Sequence, residues 1–149
     1  MRLEFENGMT IEDPDDALIT EALATLGDAV EPQEGSTLAD DIEQLAGKTN
    51  EYAILARDEM SYIQASGHPD RGFILEYQEG SLEERFCSVD KDLSLQQIIS
   101  AFQRFARDDD SYKSDFAWAR DEVGGGCAGA VVFLIIATGA AGAALWQLV

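Results

Sequence analysis

Residues 52–89 read YAILARDEMSYIQASGHPDRGFILEYQEGSLEERFCSV, and this stretch decides the fold. It contains four runs whose lengths and compositions are typical of strands, at residues 52–56, 60–65, 73–78 and 82–89. Short segments rich in charge, Gly or Pro separate the runs. Because connections this short join antiparallel neighbours, the stretch predicts a four-stranded antiparallel meander.

The third run shows how the sheet divides its side chains between two faces. Phe73, Leu75 and Tyr77 alternate with residues 74, 76 and 78, of which two are polar. This alternation predicts a half-buried strand with one apolar face. The next segment supplies a helix to cover such a face, because apolar side chains recur there at helical spacing after a cap at Asp92 or Ser94. These side chains are Leu95, Ile98, Ile99, Phe102 and Phe105.

The first fifty residues add a strand and two helices to this prediction. Leu3 and Phe5 share one face of a strand over residues 2–7. Asp13 as N-cap and Pro14 at the first helical position predict a helix that ends at Gly27. A shorter helix is predicted from Thr37 to about Gly47. The fold class is therefore α+β, with an antiparallel four- to five-stranded meander sheet and helices packed on one face.

Residues 124–149 read GGGCAGAVVFLIIATGAAGAALWQLV and contain no charged side chain. As a helix this segment would extend roughly 39 Å, whereas the hydrocarbon core of a bilayer is about 30 Å thick. A helix that is apolar on all sides must be buried in lipid or in protein. We predict an acidic domain over residues 1–123 and a single C-terminal transmembrane helix over residues 124–149. The alternative is a central core helix, which the other residues could hardly cover on every side.

The flanks of the tail predict its orientation. Arg104, Arg107, Lys113 and Arg120 precede the tail and no basic residue follows it, which places the N-terminal domain in the cytoplasm. The N-terminus lacks the apolar run of a secretory signal peptide. Two cysteines at unrelated positions also fit a reducing compartment. The predicted localisation is a single-pass membrane protein anchored by its C-terminal tail.

Small residues recur four apart along the tail, and this spacing lets two helices approach closely in lipid. It predicts helix–helix contact, either in a homodimer or with another membrane protein. Chance spacing in so Ala-rich a segment is the alternative. The predicted contact residues are Gly125, Gly129, Gly139 and Ala143.

The charge balance limits the partners. With 29 acidic and 10 basic residues the net charge is −19, which excludes a polyanionic nucleic acid and favours a basic protein. Within the domain we take the acidic segment Asp108, Asp109 and Asp110, with Tyr112, as the candidate partner-binding residues.

No constellation typical of catalysis, metal binding or cofactor binding is present in the sequence. His68 lies in a Gly-His-Pro-Asp turn, and Cys87 has the neighbours of a buried thiol. The acidic clusters lack the spacing of a calcium loop. We therefore predict a protein that is not an enzyme and needs no cofactor or metal. Glu76 and Asp90 are the candidates if a pair of carboxylates did form a catalytic site.

Residues 50–120 resemble a group of small bacterial α+β proteins similar to immunity proteins, which protect bacteria from toxins. The resemblance rests on Tyr52–Leu55, Met60–Gln64, Gly72–Ser81, and Ala101-Phe102 with Trp118. It implies a toxin as partner and carries over no functional residue. The sequence thus predicts a membrane-tethered acidic protein-interaction domain, and the alternative is a subunit or adaptor assembled through the tail helix.

Overall fold

The computed structural model describes residues 1–27 and 50–121, which form an antiparallel sheet with helices. Seven strands lie in the order β2-β1-β3-β4-β5-β6-β7. The strands are β1 (Arg2–Phe5), β2 (Thr10–Glu12), β3 (Tyr52–Asp58), β4 (Ser61–His68), β5 (Gly72–Gln78), β6 (Arg85–Ser88) and β7 (Trp118–Arg120). The helices within the described ranges are α1 (Asp16–Leu23), α2 (Leu95–Ala106) and α3 (Tyr112–Asp115).

One face of the sheet, which we call the inner face, holds the core. Leu3, Leu55, Ile63 and Tyr77 lie side by side across β1, β3, β4 and β5, and all four are buried. Residues that are neighbours across antiparallel strands point to the same side of the sheet. The described helices cover this side with their apolar stripes, and the predicted α+β class with an antiparallel sheet is confirmed.

Helix α2 is the main cover of the inner face. Ser94 and Gln97 form a capping box at its start, and its buried face includes Ile98, Phe102 and Phe105. The segment before it is tied to β5, because Phe73 N–H donates to Leu93 O at 2.9 Å and Leu93 N–H donates back at 3.1 Å. These bonds return the chain over the sheet at the correct position for α2 to pack.

The strand count and the start of α1 differ from the sequence prediction. The sheet has seven strands rather than four or five, because β2 and β7 are three-residue strands too short to show alternation. Helix α1 is capped by Asp15, whose carboxylate accepts from Leu18 N–H, rather than by Asp13. Asp13 instead adopts a positive φ of 46° and binds the N-terminal ammonium group at 2.7 Å.

Two predicted elements cannot be compared with the structure. The helix near residues 37–47 and the tail over residues 124–149 lie outside the described residues. Of the helices in residues 1–27 and 50–121, none has the length and apolar character needed to cross a bilayer.

Candidate functional site

Several polar side chains are buried on the face of the sheet opposite α1 and α2, which we call the outer face. The register places Gln64, Glu76 and Cys87 in one row across β4, β5 and β6, with Tyr62, Gln78 and Arg85 in the adjacent row. Glu76 is only 2% exposed and Gln78 only 3%. A carboxylate is rarely this buried unless it is paired, so Glu76 and its contacts form the candidate site.

Glu76 holds together three strands of the outer face. Tyr62 O–H donates to its Oε1 at 3.0 Å. Arg85 Nη2 donates to its Oε2 at 3.1 Å, and Arg85 Nε lies 2.7 Å from Oε1. Arg85 Nε also lies 3.2 Å from Asp121 Oδ2, at the last described residue of the chain. The outer-face cluster is thus Tyr62, Glu76, Arg85 and Asp121.

The pKa values of Tyr62 and Arg85 fix the charge states of these two residues. Burial, followed by the negative charge of Glu76, raises the pKa of Tyr62 well above its usual value, so its phenol is a neutral donor. Burial lowers the pKa of Arg85, but its hydrogen bond and charge pairing with Glu76 outweigh that effect and raise it overall. The cluster therefore contains a permanent cation between two carboxylates, which is suited to holding strands together and to binding charge rather than to moving protons.

The residues considered for catalysis do not come together around this cluster. Asp90 is exposed two residues beyond the end of β6, where its Oδ1 accepts from Asp92 N–H at 3.0 Å. His68 ends β4, and its Nδ1 accepts from Asp70 N–H at 3.1 Å. Among residues 1–27 and 50–121 there is no group of three or more metal-ligating side chains.

Cys87 is buried as predicted, but it is not a thiol. Its sulfur is disulfide-bonded, and the other cysteine of the chain, Cys127, lies outside the described residues. The interpretation of Cys87 as a buried thiol is therefore wrong. The use of the cysteines as an argument for a reducing compartment loses its support, because stable disulfides are typical of oxidising ones.

The acidic segment predicted to bind a partner is held by contacts within the chain. Asp108 Oδ1 lies 2.6 Å from Arg57 Nη1, and Asp110 Oδ1 lies 3.0 Å from Lys113 Nζ. Hydrogen bonds from Ser111 lower the pKa of Asp109. The three aspartates thus connect α2 to α3 and retain exposed carboxylates, so they stay candidates for a contact surface.

Tyr112, the fourth predicted partner-binding residue, is fully buried and cannot contact a partner in this structure. It lies at the inner face in an aromatic cluster with Tyr77, Phe105 and Trp118, at ring-centroid distances from 5.9 to 6.5 Å. Lys113 covers this cluster, with its Nζ 5.4 Å from the Tyr77 ring centroid. The predicted helix-contact residues Gly125, Gly129, Gly139 and Ala143 lie outside the described residues.

We expect the substitution Tyr112→Phe to raise the free energy of unfolding by about 1 kcal/mol, because the buried hydroxyl has no hydrogen-bond partner among the described residues. Burial also raises the pKa of Tyr112, with the charges of Glu79 and Asp110 adding to the effect. The neutral form is thus favoured by folding. The folding stability that comes from keeping this phenol neutral is complete below about pH 10, the usual pKa of tyrosine. This stability is lost as the pH rises further. The variant should therefore resist alkaline unfolding better than the wild type.

Urea titrations at pH 7 and pH 11 measure both effects, and Tyr62→Phe is the matched control. Tyr62 donates to a carboxylate, so its loss should lower the free energy of unfolding by about 1.5–3 kcal/mol. Equal losses in the two variants would show that the Tyr112 hydroxyl has a partner after all.

Comparison of the chain with protein-family models, curated proteins and solved structures finds no match. The resemblance to immunity proteins thus stays a prediction from the sequence. Sequence reasoning named Glu76 but not its partners Tyr62, Arg85 and Asp121, because strand alternation alone does not show that the second face is buried. The one available signal was an acidic residue in a central strand.

Proposed function

We propose that this protein is an acidic protein-interaction domain tethered to a membrane by residues 124–149, with a basic protein as its partner. The observation that carries the proposal is that most basic side chains of the described residues are already paired within the chain. Six basic side chains form ion pairs with the protein's own carboxylates: Arg2, Arg57, Arg85, Arg104, Arg107 and Lys113. The chain has 29 acidic residues against 10 basic ones, so pairing leaves a large surplus of acidic groups.

Part of that surplus lies beside exposed apolar surface at one end of the sheet. Asp58 ends β3 and Glu59 follows it in the β3–β4 turn, and the β5–β6 loop contains Leu82, Glu83 and Glu84. The two segments are in contact, because Gly80 N–H donates to Met60 O at 2.9 Å. Leu82 is 61% exposed, so an apolar side chain lies at the surface among these charges. We call these five residues the acidic end patch.

The acidic end patch combines the features of a contact surface for a basic partner. Its carboxylates would steer a cationic protein toward it, and Leu82 offers an apolar side chain to bury on contact. Arg120, whose Nε donates to Glu83 O at 2.8 Å, contributes a cation at the border of the patch. An immunity-type protein that neutralises a basic toxin would use such a surface.

A two-part experiment tests the tether and the partner separately. Alkaline carbonate extraction should leave the full chain with the membranes, whereas removal of residues 124–149 should release the domain to the supernatant. In a pull-down at low salt, the full chain should retain a basic protein. Glu83→Lys with Glu84→Lys should reduce that retention at least tenfold.

Matched controls identify which half of the proposal fails. Asp70→Lys with Asp92→Lys makes the same change of charge at the opposite end of the sheet and should preserve retention. Extraction of the full chain by carbonate would rule out the tether. Equal retention by all the variants would rule out the acidic end patch as the contact surface.

A second candidate function is favoured by the small-residue spacing of the tail. In that case the protein is a subunit or adaptor of a membrane complex, and its association depends on Gly125, Gly129, Gly139 and Ala143 rather than on the acidic end patch.

A further inference from the structure

Met60 joins the two loops at one end of the sheet. Its carbonyl oxygen accepts from Gly80 N–H at 2.9 Å, which ties the β3–β4 turn to the β5–β6 loop. Met60 lies two residues before Tyr62, and Tyr62 is the register partner of Gln78 on the outer face. Side chains two residues apart in an extended chain share a face, so the Met60 thioether lies at the border of the outer face, next to Gln78.

The side-chain amide of Gln78 is the polar neighbour of this thioether. Gln78 Nε2 donates to Met60 O at 3.3 Å and lies 3.8 Å from Met60 Sδ. Gln78 is only 3% exposed, so its amide depends on partners within the protein. A thioether sulfur is a weak acceptor, and the second N–H of this buried amide is therefore held by a weak contact.

The three methionines of the chain differ in their surroundings. Met9 is 6% exposed and belongs to the core, and Met1 is half-buried and packs against the core. Met60 is half-buried between two exposed loops. An oxidant must reach the sulfur to react with it, so the surroundings of Met60 favour oxidation and those of Met9 oppose it. Met60 alone also combines this access with the Gln78 amide beside its sulfur.

We propose that Met60 is an oxidation site, at which hydrogen peroxide converts the thioether to a sulfoxide and Gln78 binds the new oxygen. The sulfur attacks one oxygen of the peroxide, so that an S–O bond forms as the O–O bond breaks. The departing hydroxyl takes the proton of the transferred hydroxyl and leaves as water. The sulfur is oxidised by two electrons and the peroxide is reduced, so one methionine and one hydrogen peroxide give one sulfoxide and one water.

The fold accommodates the sulfoxide at this position. An S–O bond is less than half as long as the 3.8 Å between Met60 Sδ and Gln78 Nε2, so the new oxygen fits within hydrogen-bond distance of that nitrogen. Oxidation of Met60 thus replaces a weak N–H···S contact by an N–H···O bond. Oxidation of Met9 would instead put a polar group into the apolar core. Neither the tether nor the partner of the protein takes part in this chemistry.

Peptide mapping of the full chain, treated with hydrogen peroxide in mild detergent, tests the site without any substitution. Met60 falls in the tryptic peptide 58–71 and Met9 in the tryptic peptide 3–48. In the folded protein, peptide 58–71 should gain one oxygen atom at least tenfold faster than peptide 3–48. In urea the two rates should become similar, because burial no longer protects Met9. Equal rates in the folded protein, or an unchanged ratio in urea, would overturn the proposal.

The effect of oxidation on the urea midpoint of unfolding tests the part played by Gln78. Oxidation should leave the midpoint of the wild type unchanged or raise it, whereas in Gln78→Leu, which has no N–H donor, it should lower the midpoint by about 0.5 M. Each variant is compared with its own reduced form, which removes the cost of the substitution itself. In the control Met60→Leu, peroxide should not change the midpoint.

The outcome that contradicts the part of Gln78 is an equal fall of the midpoint in the wild type and in Gln78→Leu. A fall in Met60→Leu as large as in Gln78→Leu would show that another methionine causes the loss, which would also overturn the proposal. If Gln78→Leu does not fold, the peptide map and the midpoints of the wild type and Met60→Leu still decide whether Met60 is oxidised in the folded protein and whether the fold accommodates its sulfoxide.

Discussion

The substitution Phe102→Ala should lower the free energy of unfolding by about 3–5 kcal/mol. Phe102 is fully buried in α2, between the helix and the inner face of the sheet. Truncation removes its apolar contacts and leaves a cavity that the seven-stranded sheet cannot close by a small shift. Because domains are stable by only about 5–15 kcal/mol in total, this single change should remove a large part of the stability.

Urea unfolding of the full chain in mild detergent, followed by circular dichroism, measures this effect. The matched control is Gln96→Ala, an exposed position on the same helix that should stay within about 0.5 kcal/mol of the wild type. An unchanged slope of the transition would show that the cavity, rather than a change in the unfolded state, causes the loss. A loss below about 1 kcal/mol would mean that α2 is not the main cover of the inner face.

The inner face could be predicted from the sequence because its signals are local and repeated. The stripe from Leu95 to Phe105 follows the helical period, and Ser94 supplies a cap that the structure confirms. The alternation of Phe73, Leu75 and Tyr77 likewise identifies the buried side of β5, and all three are buried. Helix and strand periods agree here with the packing, so the local pattern was sufficient.

The sheet edges could not be predicted because their strands depend on neighbours distant in sequence. Residues 10–12 form β2 by pairing with β1, and residues 118–120 form β7 by pairing with β6. The indole of Trp118 in β7 packs against Tyr77, 41 positions earlier in the chain, at a ring-centroid distance of 4.7 Å. A segment of three residues carries no period from which such pairing could be inferred.

At the candidate contact residues, the charge pattern of the sequence likewise did not predict the contacts that the fold makes. The sequence predicts a partner-binding surface at Asp108–Asp110, yet Arg57 and Lys113 already bind two of these aspartates. Tyr112 follows them directly in sequence but lies inside the core. Sequence position shows that acidic residues are clustered, whereas it does not show which cations the fold will bring to them.

The outer face supplies the second large expected effect. We expect Glu76→Ala to lower the free energy of unfolding by about 3 kcal/mol, because it leaves the largely buried Arg85 without its main counter-charge and Tyr62 without its acceptor. Asp121 still faces Arg85, which keeps the expected loss at the lower end of the range for buried pairs. Equilibrium unfolding in urea under oxidising conditions measures the loss.

A double substitution separates the cost of an unpaired charge from the value of the pair. In Glu76→Leu with Arg85→Met, both charges are replaced by apolar side chains, and the loss should fall to about 1 kcal/mol or less because no buried charge is left alone. A solvated pair would behave differently, since each single variant would then cost less than about 1 kcal/mol and the double variant would equal their sum. That additive result would mean that the outer face is open to water. The strong non-additivity we expect would instead show that the pair is shielded from solvent, because only a shielded site makes the loss of one partner so much costlier than the loss of both.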